Sequence, residues 1–560
     1  MQNLDPQIPL TLNIARSHQV AGDLKTAIAS YEKVLKQLPR DANVLQLTGT
    51  AYLQAGDFSK AEQLLEKSLR FNPGGADAWC NLGLVYTQLK KRRKALRAFS
   101  EAIRIAPNMA DAYYNKARLL FDDKQYEAAI GLYEQAIKLN PGDPQALVNL
   151  GNCYHYIGGL EEKRWRPAIE AFERAIRHAP NTAEAFANIG SIFLDREWFY
   201  ASAAMYSKAL KIAPNLGNYR FKRSLAYLRL GLLAEGWENY EYRAVAEKES
   251  IHRRAVPPPY WDGEDLQGKS VLVWPEQGLG DQILMASMIP DLVARAGKVY
   301  FESGLRNLTV FARSFPEAVV FDQGRDGTTV RAKEKCDYQV ALGGLGRFFR
   351  RDMASFPRSH GFLKADPDKV EKRRAKYRAM AGDRKLVGIS WRSKNESIGA
   401  AKSSDLASWA PILKASGAWF VNLQYGDVQD DLAAAKAQLG VDVYNDPDVD
   451  SSGDLDDFFA QVAALDLVIS TSNTTVHTAG SLNVPCWLLL PKGGGALWYW
   501  FLRRTDSPWY PSLYIYRQTE ERIDGVGWWH GAVTRAGADL AAWIESGEPL
   551  SSFRARLTHG

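Results

Sequence analysis

Through the first half of the chain, small apolar, aromatic and proline positions recur with one period. Pro39, Pro73, Pro107, Pro141, Pro180 and Pro214 are separated by 34, 34, 34, 39 and 34 residues. A fixed period of this size is the signature of stacked helix pairs. Upstream of each proline, at a constant offset, stand Ala27, Ala61, Ala95, Ala129 and Ala168, with Ser202 in the sixth repeat. Downstream come the small residues Gly49, Gly83, Ala117, Gly151 and Gly190. Behind these lie the aromatics Tyr52, Tyr86, Tyr154, Phe193 and Tyr227, broken only by Leu120. Small residues let paired helices approach closely, aromatics fill the gaps between pairs, and proline ends each second helix because it cannot extend the hydrogen-bond ladder. The 39-residue step carries extra residues near 161–165, which the pattern places in the turn between two paired helices.

This pattern resembles the tetratricopeptide repeat over roughly the first 245 residues. The resemblance implies an α-solenoid whose concave face binds an extended peptide or a partner protein. At one further phase stand Asn81, Asn115, Asn149 and Asn188, which stacking would align along the inner surface. A carboxamide both donates and accepts, so it pairs with a peptide backbone without reading its side chains. Such a ladder looks like the one that holds acceptor polypeptides in protein O-GlcNAc transferases. Asparagine is also common at this repeat position, and the residues alone leave both readings open. The basic run Lys90, Lys91, Arg92, Arg93, Lys94 falls at a turn within one repeat, where charge is solvated, so it is read as surface and not as a nucleic-acid patch.

Residues 232–243 read as a closing amphipathic helix, and 246–267, with Pro257, Pro258 and Pro259 in series, as a linker. Tyr260 and Trp261 suggest that the linker packs onto the next domain. Beyond it the periodicity changes to short apolar runs alternating with helical stretches. Strands are expected at Ser270–Trp274, 298–302, Val319–Asp322 and 338–342, with helices at 281–295 and 307–314. The pattern restarts with strands at 386–391, 419–424, Leu467–Thr471 and Cys486–Leu490, and helices at 406–416 and 474–482. Alternation of this kind predicts parallel α/β sheets, and the restart predicts two of them, over 268–383 and 384–520, followed by a helical region at 521–560.

Composition changes this picture little. With 46% hydrophobic and 24% charged residues the chain is ordinary globular material, and a net charge of +6 is too diffuse to argue for nucleic acid. The four cysteines form no CxxC pair, which argues against a zinc site or a disulfide framework. No secretory leader or membrane-length apolar run is visible, so a cytoplasmic location without membrane insertion is expected.

In parallel sheets ligands collect at the carboxyl ends of the strands. The first such loop carries Gln277, Gly278, Gly280 and Asp281, two glycines before a helix start. Glu302, some twenty residues on, raises a dinucleotide reading, but the third glycine of that fingerprint is missing and a plain tight turn fits as well. The second loop holds Arg392, Ser393, Lys394 and Asn395, cations and a hydroxyl suited to phosphate. The third runs through Ser470, Thr471, Ser472, Asn473, Thr474, Thr475 and His477 into a helix, where hydroxyls and an amide form a diphosphate cradle or simply a cap. His477 fits a ligand role and a structural one alike. The acidic stretch from Asp446 to Asp457 has no partner histidine and reads as a solvated loop and a helix start.

The segments WPEQGLGDQI, VGISWRSKN, FVNLQYGD, DLVISTSNTTVHTAGSLNVPCWLLLP and SPWYPSLYIYRQ, in that order, resemble the bacterial tetratricopeptide-repeat glycosyltransferases, whose catalytic part is similar to the heptosyltransferases. GWENYEYR and YWDGEDLQGKSVLVW extend the resemblance through the junction. It implies a GT-B fold of two Rossmann-like units with a C-terminal helix crossing back, and inverting, metal-independent transfer without a cofactor. A nucleotide sugar would be the co-substrate and Ser or Thr of an acceptor protein, flagellin among the candidates, would receive the sugar. By the resemblance Asp281 matches the general base. Gln277, Gly278, Gly280, Arg392, Ser393, Lys394, Ser472, Asn473, Thr474, Thr475 and His477 match the donor site, and Asn81, Asn115, Asn149 and Asn188 the acceptor-protein site. Ser472 departs from the family, which commonly carries Asp there. That departure keeps a non-catalytic scaffold open, and a lipid or polysaccharide acceptor is the other alternative.

Overall fold

The computed structural model describes residues 7–158, 162–246, 258–322, 336–357, 361–393, 399–451, 453–518 and 529–559. The chain forms two compact units, one up to Ile192 and one from Phe193 onward.

The first unit is a tetratricopeptide-repeat solenoid, in which helices such as Ala42–Gln54 and Phe58–Phe71, or Ala76–Gln88 and Arg92–Ile105, pair as hairpins. The phased residues explain the packing. A Cβ added to Gly83 would sit 2.5 Å from the Phe99 ring, and one on Gly151 would sit 2.6 Å from Phe172, so only a small residue lets each ring lie across its partner helix. The phased tyrosines also carry a polar link. Tyr52 donates to Glu32 at 2.5 Å, Tyr86 to Glu66 at 2.8 Å and Tyr154 to Glu134 at 2.8 Å. Where Leu120 replaces the tyrosine, the partner position holds Ser100, whose hydroxyl turns back to Leu96 O of its own helix. Of the extra residues of the 39-residue step, 162–165 do not lie in a turn as expected but open the helix Glu162–His178, and Glu161 falls outside the described residues. Pro167 stands inside that helix, where it removes one hydrogen bond to the carbonyl four residues back.

The second unit opens with repeat-type helices, Phe199–Ile212, Gly217–Leu230 and Leu233–Tyr240. These helices are built into the α/β part of the chain. Trp237 donates its indole N–H to Arg350 O at 2.8 Å and meets Trp498 edge-on at 5.2 Å. Arg229, 3% exposed, donates to Leu497 O at 2.8 Å and pairs with Glu197 at 2.9 Å. Residues 247–257 of the linker fall outside the described residues. Pro259 O accepts from Gln339 N, and the Trp261 ring lies 4.0 Å from Phe348.

The α/β part holds two parallel sheets. The first has the order β3-β2-β1-β4, with β1 (Ser270–Trp274), β2 (Lys298–Ser303), β3 (Val319–Asp322) and β4 (Tyr338–Ala341). The second has the order β6-β5-β7-β8-β9, with β5 (Lys385–Ser390), β6 (Ala418–Asn422), β7 (Leu467–Thr471), β8 (Cys486–Leu490) and β9 (Leu513–Arg517). All pairings are parallel. The sequence pattern did not anticipate β9 or the helices Pro367–Ala381 and Gln429–Leu439. The helix expected at 281–295 is broken into Leu279–Met285, a 3-10 turn Ala286–Met288 and Ile289–Val293, because Pro290 cannot donate to the carbonyl four residues back. Pro411 breaks 406–416 in the same way, into Ala407–Trp409 and Ala410–Leu413. The helix His530–Ser546 packs through Ala532, Val533, Ala536 and Leu540 on one face of the second sheet.

The acidic stretch is not solvated as expected. Asp446 and Asp456 are buried, and they hold Arg373, Lys376, Arg313 and Lys369 together. Burial alone would raise the Asp446 carboxyl, but hydrogen bonds from Lys376 and Tyr377 outweigh it and hold it below the ordinary range. The reason lies in the fold: the basic face of helix Pro367–Ala381, far away in sequence, is laid on this loop.

A chain lacking residues 1–245 loses Trp237 and Arg229 and exposes Trp498. It should aggregate or bind a hydrophobic dye, whereas a chain beginning at Asn181 should unfold cooperatively. Circular dichroism melts and dye binding of the two shortened chains check this.

Candidate functional site

In each sheet the strand order reverses at one place, between β1 and β4 and between β5 and β7. Such switch points open a crevice at the strands' carboxyl ends. All three loops singled out in the sequence leave the sheets there.

The loop after β1 is shaped by its backbone. Gln277 sits at φ +61°, and Gly278 precedes the helix Leu279–Met285 that carries Asp281 in its first turn. Gly280 is glycine for a tertiary reason. A Cβ there would lie 2.7 Å from the His477 ring, so the helix start after β1 rests directly on the helix Thr474–Ser481 after β7. His477 is buried, its Nδ1 lies 2.9 Å from the Tyr510 hydroxyl, and its ring stacks on Trp500 at 5.4 Å. Burial, helped by the charge of Lys402, lowers its pKa to about 3. His477 is therefore neutral at pH 7, and its ring packs between the two sheets' loops.

The cradle after β7 is mostly spent on itself. Asn473 caps its helix through Thr475 N at 3.0 Å and reaches Ser390 Oγ at 2.7 Å and Arg392 O at 3.1 Å. Ser472 Oγ accepts the Trp500 indole N–H at 2.8 Å and so holds the ring that stacks on His477. Thr475 is fully buried, which leaves the half-buried Thr474 at the mouth of the helix. The loops after β5 and β6 are tied by one side chain: Gln424 Oε1 accepts from Trp391 N at 3.0 Å and Arg392 N at 2.8 Å.

The predicted residues therefore divide. Asp281, Gly280 and His477 come together, and Asn473 joins the Arg392 backbone to the β7 loop. The Arg392 side chain turns away to an ion pair with Asp431 at 2.6 Å. Ser393 N–H donates to Ser403 Oγ at 2.9 Å. Lys394 and Asn395 lie outside the described residues. Among the asparagines, Asn81 donates to Thr50 at 2.9 Å, Asn149 to Tyr114 at 3.2 Å and Asn188 to Asn152 at 2.7 Å, each linking neighbouring first helices of the array. Asn115 donates to Asp111 O of its own helix. All four are half-buried.

The sequence reading missed Lys402. It closes the short helix Gly399–Lys402, is 4% exposed, and has no hydrogen-bond partner among the described residues. Burial lowers its pKa to about 8, against a smaller attraction from Asp281. A buried ammonium is costly unless a negative charge offsets it, and Asp281 supplies part of that charge. Nothing in the run Ala-Ala-Lys-Ser-Ser marks this residue as special; only the fold brings it to Asp281. Tyr499 was missed too: it is buried beside His477 at 5.2 Å, and burial together with the nearby charge of Asp281 holds its hydroxyl well above the ordinary range. Among the described residues no group of His, Cys, Asp and Glu could hold a metal ion, and no helix is long and apolar enough to cross a membrane.

Models of the tetratricopeptide repeat match residues 21–82, 80–144, 120–189 and 183–216. Among curated proteins, Protein FlbA of Caulobacter vibrioides is 35% identical over 344 residues, 59% of this chain and 56% of FlbA, so the chain spans little more than half the length of that relative. Among solved structures, a MamA protein is 25% identical over 32% of this chain and 94% of its own, with a TM-score of 0.27. YrrB, described as a TPR protein with an unusual peptide-binding site, is 23% identical over 33% of this chain and 93% of its own, with a TM-score of 0.30.

Lys402 supplies a stability signature. The unfolded lysine keeps its proton to its ordinary 10.5 and the folded one releases it near 8, so between these values the unfolded state binds more protons and stability rises with pH. Lys402→Met should remove that rise and be more stable than the parent at pH 7. Urea unfolding of both chains at pH 7 and 9.5 checks it.

Proposed function

We propose that this chain is a GT-B glycosyltransferase that moves a sugar from a nucleotide sugar to Ser or Thr of an acceptor protein. The reading rests on one observation: Asp281, at the switch point of the first sheet, lies within electrostatic reach of the buried ammonium of Lys402, whose charge also acts on His477 in the helix after β7. Those are the two charges the reaction needs. Asp281 accepts the proton of the acceptor hydroxyl as its oxygen attacks the anomeric carbon. The bond from that carbon to the diphosphate breaks, and Lys402 with the helix N-terminus at Thr474 offsets the charge that leaves, with no metal required. The Asp281 carboxylate is a weak base at neutral pH, so closure around it must strip water to raise its basicity.

The repeats are read as the acceptor's holding surface. Asn81 and Asn188 already link neighbouring helices through their N–H, which leaves their carbonyl oxygens to receive backbone N–H groups of an extended polypeptide. Flagellin is the acceptor that the resemblance suggests. The rival is a non-catalytic scaffold, favoured by the engagement of Arg392 with Asp431 and of Ser472 with Trp500.

Two measurements separate these. Asp281→Ala should abolish transfer to a co-expressed acceptor while leaving nucleotide affinity within about twofold; sugar transfer retained by that variant removes Asp281 from the mechanism. A thermal-shift panel of CMP, UDP, GDP and ADP on the full chain should single out one nucleotide, with stabilisation of about 2.7 kcal/mol at a hundred times its dissociation constant. Its affinity should fall above pH 8 as Lys402 loses its proton. Affinity flat to pH 9.5 counts against Lys402 as the diphosphate ligand.

A further inference from the structure

The segment Gly236-Trp237-Glu238-Asn239-Tyr240-Glu241-Tyr242-Arg243 lies at the end of the repeat helices, yet its Tyr240 and Arg243 side chains end in the loop that carries Asp281. Tyr240, 1% exposed, places its hydroxyl 3.0 Å from Oε1 and 2.8 Å from Nε2 of Gln277, the residue at φ +61°. Its ring is fixed edge-on against Trp237 at 5.4 Å and Trp498 at 5.6 Å. Three residues on, Arg243 grips the neighbouring carboxylate. Its Nε lies 3.1 and 3.0 Å from the two oxygens of Glu276 and its Nη2 lies 2.6 Å from Oε1, with both side chains 3% exposed. The same Oε1 accepts from Gly343 N at 2.9 Å, and a Cβ on Gly343 would collide with it. The two residues that precede the glycine turn are thus each held by a side chain from outside the sheet, four and five positions before Asp281.

We propose that Tyr240 and Arg243 are positioning residues for Asp281: the last helices of the repeat array, and not the α/β sheet alone, set where the carboxylate points. A left-handed non-glycine residue persists only where its surroundings hold it, and the amide of Gln277 is held by Tyr240. Arg243 fixes the plane of Glu276 through a two-pronged contact that lysine cannot reproduce. Neither side chain touches the place where a donor or acceptor would react; both act through the turn. The proposal deepens the transferase reading and rests on it.

The test uses the full chain. Tyr240→Phe keeps the ring and its packing and removes only the hydroxyl. It should lower kcat for sugar transfer about tenfold or more, the scale on which a misplaced catalytic group is penalised. It should also move the acid limb of the kcat–pH profile, while the dissociation constant of the nucleotide stays within about twofold. Amide hydrogen exchange read by mass spectrometry should quicken in the peptide spanning 275–285 and stay unchanged in β7. Arg243→Lys should show the same pattern, with faster exchange at 275–285. Wild-type kcat and pH profile in Tyr240→Phe overturn the proposal. So does a loss in which kcat, nucleotide affinity and melting temperature all fall together, since that marks a general structural role. If the parent chain transfers no sugar, it is the transferase reading that fails; the exchange arm then decides the positioning, faster exchange at 275–285 supporting it and unchanged exchange overturning it.

Discussion

The buried pair of Arg243 and Glu276 is the contact on which the second unit's organisation turns. Both side chains are almost wholly out of water, and Glu276 also receives Gly343 N, so three parts of the chain meet at one carboxylate: the last repeat helices, the loop after β1 and the turn after β4. Removing one partner of such a pair leaves an uncompensated charge, typically about 3–5 kcal/mol of instability. That explains why the boundary between compact units does not fall where the helical repeat ends. Helices down to Tyr240 look like repeats but are packed as the flank of a sheet, with Trp237, Tyr240 and Trp498 in mutual edge-on contact.

From that contact the site assembles outward. The loop after β1 is braced, Gly280 lets it lie on His477, and the aromatic bed of Tyr499, Trp500 and Tyr510 closes behind the histidine. The bed makes the surroundings poor in water, which is why His477 gives up its charge and Lys402 holds its own only weakly. The half-buried Asp281 and the buried Lys402 bring opposed charges to the edge of this bed.

Some of this was legible in one dimension. The solenoid's phase, the two parallel sheets and the loops at both switch points come from local periodicity, because helix and strand spacing and glycine or proline punctuation act within a few residues. The glycine at 280, the hydroxyl run after β7 and Asp281 were visible for the same reason. The expectations that failed had non-local causes or a single proline. Pro290 and Pro411 cut helices that the apolar pattern alone would continue, and the acidic loop from Asp446 became a buried ion network because a basic helix folds onto it.

The sequence by itself determined the repeat architecture, the sheet-forming segments and which strand ends carry polar chemistry. Only the tertiary structure decided which of those polar groups remain available. Ser472, Asn473, Thr475 and Arg392 are taken up by Trp500, Ser390, the helix cap and Asp431. Lys402, from an unmarked polar run, is brought within electrostatic reach of Asp281, and Tyr240, from a repeat helix, braces the turn before it. The physical reason is that a hydrogen bond or an ion pair uses up a group wherever its partner comes from, and most partners here lie tens of residues or more apart, beyond anything a local pattern encodes.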